Sequence, residues 1–300
     1  YFKGNAGTLN LGENSIAYQL KNTNLTSNSN FVDNLGINST GKYTYIYADN
    51  STLNYENQKT INSDGSTFAY AKNSNITLKT NTKISSSNKK VTGIFSENTV
   101  AGKNIVNNGN INITGKRSIA AYLEGTMEQT FENTGTINVD KTTTSVKNDS
   151  TVGIYAQSGS KINVKNNGKI NVDEASFGIY SLSEDGDVQT TGTSIINVAD
   201  KAIGIYKKSG TANLGGTINV ADHNATDVNS EPVGVYGTSG VTITDNTSIF
   251  KVGDKSYGVI LANPGLSKTN VYSNSSSSKI SLGKESTFIY TEGKSQVTNN

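Results

Sequence analysis

The single histidine of this 300-residue chain, His223, keeps acidic company: Asp222, Asp227 and Glu231 stand in the same stretch. Imidazole and carboxylates together are the donor set of a metal centre or an acid–base pair. A metal centre needs three or four convergent ligands, however, and a lone histidine in a polar loop reads more simply as a solvated side chain. A second acidic group, Glu184, Asp185 and Asp187, reads as an exposed turn. The one arginine, Arg117, has Lys116 and Glu124 nearby, which is no pair of carboxylates flanking a glycosidic bond. There is no cysteine, and no Gly-x-Ser-x-Gly nucleophile turn with a partner histidine in a local pattern. The expectation is therefore no enzyme activity, no cofactor and no metal. What remains is recognition chemistry, carried by tyrosine, whose rigid ring and polar tip suit contacts with glycans and proteins.

The tyrosines are not scattered. A short phrase, ending in an aromatic after Ala, Ile or Val, recurs eleven times, for example Gly153-Ile154-Tyr155, Gly178-Ile179-Tyr180, Gly204-Ile205-Tyr206 and Gly234-Val235-Tyr236. Counted from Tyr18 to Tyr290, its last residues are 29, 23, 25, 27, 33, 25, 26, 30, 24 and 30 apart; Phe95 replaces tyrosine in one copy and Ile260 in another. A period of this size marks stacked repeats, each too small to bury its own core. Preceding the aromatic phrase is Ile-Asn-Val or a close variant, as at Ile137-Asn138-Val139, Ile170-Asn171-Val172, Ile196-Asn197-Val198 and Ile218-Asn219-Val220. In-out-in alternation of this kind is a strand signature, with the β-branched pair inward and Asn outward. A third short apolar stretch, such as Ile162-Asn163-Val164, ends in corners of the Asn167-Gly168 type, where glycine supplies positive φ.

Three short strands per repeat and no stretch with helical periodicity predict an all-β fold: a right-handed parallel β-helix of about eleven coils, spanning residues 1–300 as one unit. At about 4.8 Å per coil the rod is roughly 50 Å long. Composition agrees. Apolar residues are only 33%, while the 41 asparagines, with Ser, Thr and Gly, suit tight turns and outward strand positions. Two prolines leave strand pairing almost uninterrupted. A net charge of +2 without a basic run longer than a pair argues against nucleic acid as a partner. No signal peptide and no apolar stretch of membrane-spanning length is present, and the chain begins and ends in mid-repeat, as a fragment of something longer would.

Alternation turns the aromatics outward, as a column of ten rings that either binds partners or simply stabilises the rod; a corner that breaks alternation would turn them inward. The asparagine stripe can hydrogen-bond from coil to coil. A lattice-matching, ice-binding use would call for threonine pairs instead. The spacing from the Val of Ile-Asn-Val to the aromatic singles out two coils. It is eight residues in Val172 to Tyr180 and Val198 to Tyr206, but sixteen in Val139 to Tyr155 and Val220 to Tyr236. Extended loops at about 140–151 and 221–232 thus leave the same corner, and insertions at one corner gather on one face of a solenoid, often its binding face. The candidate partner-binding residues are accordingly Lys141, Lys147 and Asp149 in the first loop, His223, Asp227 and Glu231 in the second, and Tyr155, Tyr180, Tyr206 and Tyr236 along the column.

From Asn107 to Tyr236 the chain resembles the passenger domains of large fusobacterial autotransporter adhesins, most clearly in Gly168-Lys169-Ile170-Asn171-Val172 followed by Phe177-Gly178-Ile179-Tyr180. That resemblance implies a secreted rod on the bacterial surface, attached to the membrane only through a C-terminal outer-membrane barrel outside this chain. It also implies attachment to other bacterial cells, to host glycans or to host cell-surface receptors, including inhibitory receptors on immune cells. A passive stalk within a larger adhesin is the alternative, and a β-helical glycan-cleaving enzyme a more distant one.

Overall fold

The computed structural model describes all residues except 1, 26–30, 141–149, 160, 225–229, 264–267, 276 and 300, and the side chains of 2–6 and 31–34 are likewise outside the description. Thirty strands and no helix make up the described chain. Every pairing between the described strands is parallel, and through most of the rod it is in phase with the repeat: Ile137 lies beside Ile170, which lies beside Ile196, which lies beside Ile218. The result is a parallel β-helix. The eleven aromatic phrases form one sheet of eleven strands, so they delimit about ten turns. The other nineteen strands form a single sheet round the remaining two faces, because Gly210–Val220 and Val241–Val252 run unbroken across the corner between them.

Burial follows the alternation. Ile137, Ile170, Ile196, Ile218 and their Val partners line the core, and the Asn between each pair faces out. Each such Ile or Val, moved from water to this interior, stabilises by roughly 1.5–3 kcal/mol. The aromatic strands add one twist to the pattern. In Val152–Ala156 two successive residues, Gly153 and Ile154, are buried before Tyr155 emerges. The coils touch backbone to backbone at that glycine: a Cβ on Gly153 would sit 2.4 Å from the Gly178 carbonyl oxygen, and one on Gly178 2.5 Å from that of Gly204. In the N-terminal coils Tyr45 and Phe68 take this place instead, and their stacked rings fill the core with Tyr55.

Not all of the interior is apolar. At the corner between the second and third strands, Asn107 donates to Asn133 Oδ1 (2.7 Å), Asn133 to Asn166 Oδ1 (2.7 Å) and Asn166 to Ser194 Oγ (2.6 Å), all fully shielded from solvent. Each amide thus meets its needs in the neighbouring coil, as a buried polar group must.

The corner that leads back to the aromatic strand is built differently. Six coils of ordinary length turn it through one left-handed residue that is not glycine, Lys90, Arg117, Ala175, Lys201, Lys255 or Glu285, with φ from 53 to 59°, and another does so through Gly65 at 72°. Such a conformation costs non-glycine residues of order 1 kcal/mol. The strands on either side of the two longer connections, residues 140–151 and 221–232, keep the same pairing as in the other coils, so length is added at this corner without disturbing the stack. Arg117, the sequence's only arginine, serves as one of these corner residues.

Candidate functional site

Two faces of the rod gather the candidate residues. The first is the face of the Ile-Asn-Val strands. Their outward asparagines form a second amide ladder: Asn171 donates to Asn138 Oδ1 (2.6 Å), Asn197 to Asn171 (2.8 Å) and Asn219 to Asn197 (2.9 Å). Asn171 and Asn197 each spend one N–H and one lone pair on the ladder, leaving a second of each for solvent or a ligand. The ladder floors an open groove of about 860 Å³. Asp140, Asp173 and Asp222 stand along it with Lys251. Asp140 is where the first extended loop leaves the coil, and Ala221 and Asp222 begin the second, so the groove runs between the two loop roots. Its size is that of a small-ligand site, and its hydroxyl- and amide-binding chemistry suits polar ligands.

Lys141, Lys147, Asp149 and Asp227 lie outside the described residues. Glu231 is half-buried beside Pro232 at the return of the second loop. His223 departs from the sequence expectation: it is not a solvated loop side chain. Its own side chain is 4% exposed, and Nδ1 lies 2.7 Å from Asp200 Oδ1 in the preceding coil. The other Asp200 oxygen accepts the backbone N–H of Asn224 (3.2 Å), and the His223 N–H donates to the Asp254 carbonyl (2.8 Å). The pair pins the root of the second loop. Asp222 turns away from His223 and accepts from the Asp254 N–H (2.7 Å). Among the described residues, no three His, Cys, Asp or Glu side chains converge on a metal site.

The second face is the aromatic column. Its rings point outward, half-buried, and stack continuously through Tyr70, Phe95, Tyr122, Tyr155, Tyr180, Tyr206 and Tyr236 with centroids 4.5–5.6 Å apart. Tyr47 adds an eighth ring, tilted by 31° against Tyr70. The ten-ring column expected from the phrase is thus shortened at both ends. Tyr18 pairs with Ile46 rather than Tyr47, one residue out of register, and packs edge-on against Tyr45. At the other end Ile260 takes the place beside Tyr236, so Tyr290 is cut off from the stack. The hydroxyls of Tyr70 and Tyr122 are held within the rod by Glu97 (2.5 Å) and Gln157 (2.6 Å), whereas those of Tyr180, Tyr206 and Tyr236 have no partner among the described residues. Partial burial raises the pKa of Tyr122 to about 12, with the Glu124 carboxylate adding to it. Tyr155, Tyr206 and Tyr236 are raised for the same first reason.

No motif in the sequence marks Lys207. Its ammonium is fully buried and donates to the carbonyls of Ser183 (2.5 Å) and Gly186 (2.6 Å) and to Ser181 Oγ (3.2 Å). Burial lowers its pKa to about 8, and the neighbouring Asp187, Asp185 and Glu184 carboxylates keep it from falling further. The exposed acidic turn above it thus has a buried counter-charge beneath, while Glu184 also meets Lys208 at 3.0 Å.

Set against known proteins, the chain matches no family model, no curated protein and no solved structure.

Proposed function

We propose that this chain is the adhesive part of a bacterial surface rod, which holds other bacterial cells, host glycans or host receptors by many weak contacts along one face. A stiff rod keeps its contacts in fixed register, so that each added contact is made at high effective concentration. The observation that carries the reading is the placement of the groove. It lies over the outward amide ladder, between the roots of the two extended loops, on the face where insertions to a solenoid collect. A groove bounded in this way supports an adhesive element over a passive stalk. Display outside an outer membrane follows from the resemblance in the Asn107–Tyr236 coils and is part of the same proposal.

Excision tests it. Replacing residues 141–149 and 225–229 by short Asn-Gly links should leave the circular dichroism of a β-rod unchanged and lower binding to cells by tenfold or more. Undiminished binding would favour the stalk. One observation keeps an enzyme in view: Asp140 and Asp173 line the same groove on neighbouring coils, the Asp173 N–H donating to the Val139 carbonyl at 2.9 Å. Release of reducing sugars from cell-surface glycans would select that reading instead.

A further inference from the structure

A column of stacked rings hides what aromatic side chains are best at. Within the stack each ring face is covered by the next ring, so only edges and hydroxyls reach solvent. The exceptions are the two ends of the stack: Gln19 stands beside Tyr47 at the first, and the second, at the C-terminal end, opens onto a groove. The residue beside Tyr236 is Ile260, which is shorter than a phenol and carries no ring, and no described aromatic stacks on that side of Tyr236. The outer part of this one ring face is left open. A groove of about 410 Å³ lies at the break, lined among others by Phe177, Tyr180, Tyr206, Tyr236, Ala262 and Glu292. Its lining combines exposed aromatic carbon, tyrosine hydroxyls without a protein partner and a single carboxylate, with no lysine or arginine.

We propose that this break is a binding site for one neutral saccharide unit. The apolar C–H face of a pyranose lies against the open face of Tyr236, and its hydroxyls donate to the exposed Glu292 carboxylate and exchange hydrogen bonds with the hydroxyls of Tyr206 and Tyr236. Aromatic faces carry the negative end of the ring quadrupole and attract such C–H groups. The groove falls in the size range of small-ligand sites. A carboxylate with no cation beside it repels sialylated and sulfated sugars, which sets the class. The inference deepens the adhesive reading and rests on it for its biological use, but not for the binding itself.

The measurement is saturation-transfer NMR on the intact rod with methyl glycosides of neutral hexoses and of N-acetylhexosamines, beside sialic acid and choline. For a ligand of about twelve heavy atoms a dissociation constant in the millimolar range is expected. The diagnostic variant is Ile260→Tyr. It continues the stack over Tyr236, so it should abolish transfer to the neutral glycosides while holding or raising the melting temperature; Glu292→Gln should weaken binding several-fold. No transfer to any neutral glycoside, equal transfer in Ile260→Tyr, or preferential transfer to choline or sialic acid overturns the site. Cell binding is scored separately. Saccharide binding without cell binding contradicts the adhesive reading alone, and cell binding without saccharide binding contradicts this site alone. If both occur, competition by the free glycoside against attachment to host cells and to bacterial cells shows which supplies the sugar.

Discussion

The rod contains two asparagine ladders, and the contrast between them separates structure from function. One runs inside, Asn107 to Asn133 to Asn166, and ends on Ser194. The other runs outside, Asn219 to Asn197 to Asn171 to Asn138. The residue, the bond and the length are alike, but the inner amides donate toward the C-terminus and the outer ones toward the N-terminus. Inside, each carboxamide is sealed from water, and its bonds are obligatory because nothing else can satisfy it. Outside, water competes for every bond, and half the capacity of Asn171 and Asn197 stays free. The same chemistry therefore builds the rod in one place and floors a groove in the other.

Asn133→Leu should break this contrast most strongly. It leaves the Asn107 donor and the Asn166 acceptor buried and unpaired, which should destabilise the rod by about 2–5 kcal/mol in urea denaturation. A loss below about 1 kcal/mol would mean that water reaches the inner ladder.

Lys207 extends the comparison from buried amides to a buried charge. Its pKa falls from 10.5 to about 8 on folding, so the folded rod releases this proton first. Stability should then rise as the pH climbs from about 8 to 10.5, by up to ~3 kcal/mol from this group. The tyrosines act in the opposite sense. Tyr122, raised to about 12, holds its proton better when folded, so stability declines above pH 10. Melting followed against pH should therefore peak near pH 10. In Lys207→Met the rise between pH 8 and 10 should vanish while the alkaline decline persists; a rise that survives would assign it to another group.

Much of this was written in the sequence. The inward Ile and Val, the outward Asn, the outward rings and the corner of the two loops all follow from a period of two within strands and a repeat in the twenties to thirties. Lys207 was legible by the same rule, because the residue after the aromatic is Ala156 or Ser181 in the preceding coils, both buried; residue type outweighed position and concealed it. The inner ladder had a signal too. Asn107, Asn133 and Asn166 each stand two residues before a glycine, in stretches that otherwise read only as turns. Other features were not legible. The slip at Tyr18 is a matter of register between coils, which no single repeat encodes. The burial of His223 depends on Asp200, which lies 23 residues earlier and meets it only once the coils are stacked. The groove exists only as the sum of several coils.

The outer ladder should be the weakest element in stability and the strongest in attachment. In Asn171→Ala with Asn197→Ala the rod should lose no more than about 1 kcal/mol, since half-exposed amides exchange their bonds with water. Cell binding of this double variant, measured beside the intact rod at matched fold content, tests the account most directly. Attachment reduced about tenfold with the melting temperature nearly unchanged is the expected result. Attachment equal to that of the intact rod would contradict the groove as the adhesive element.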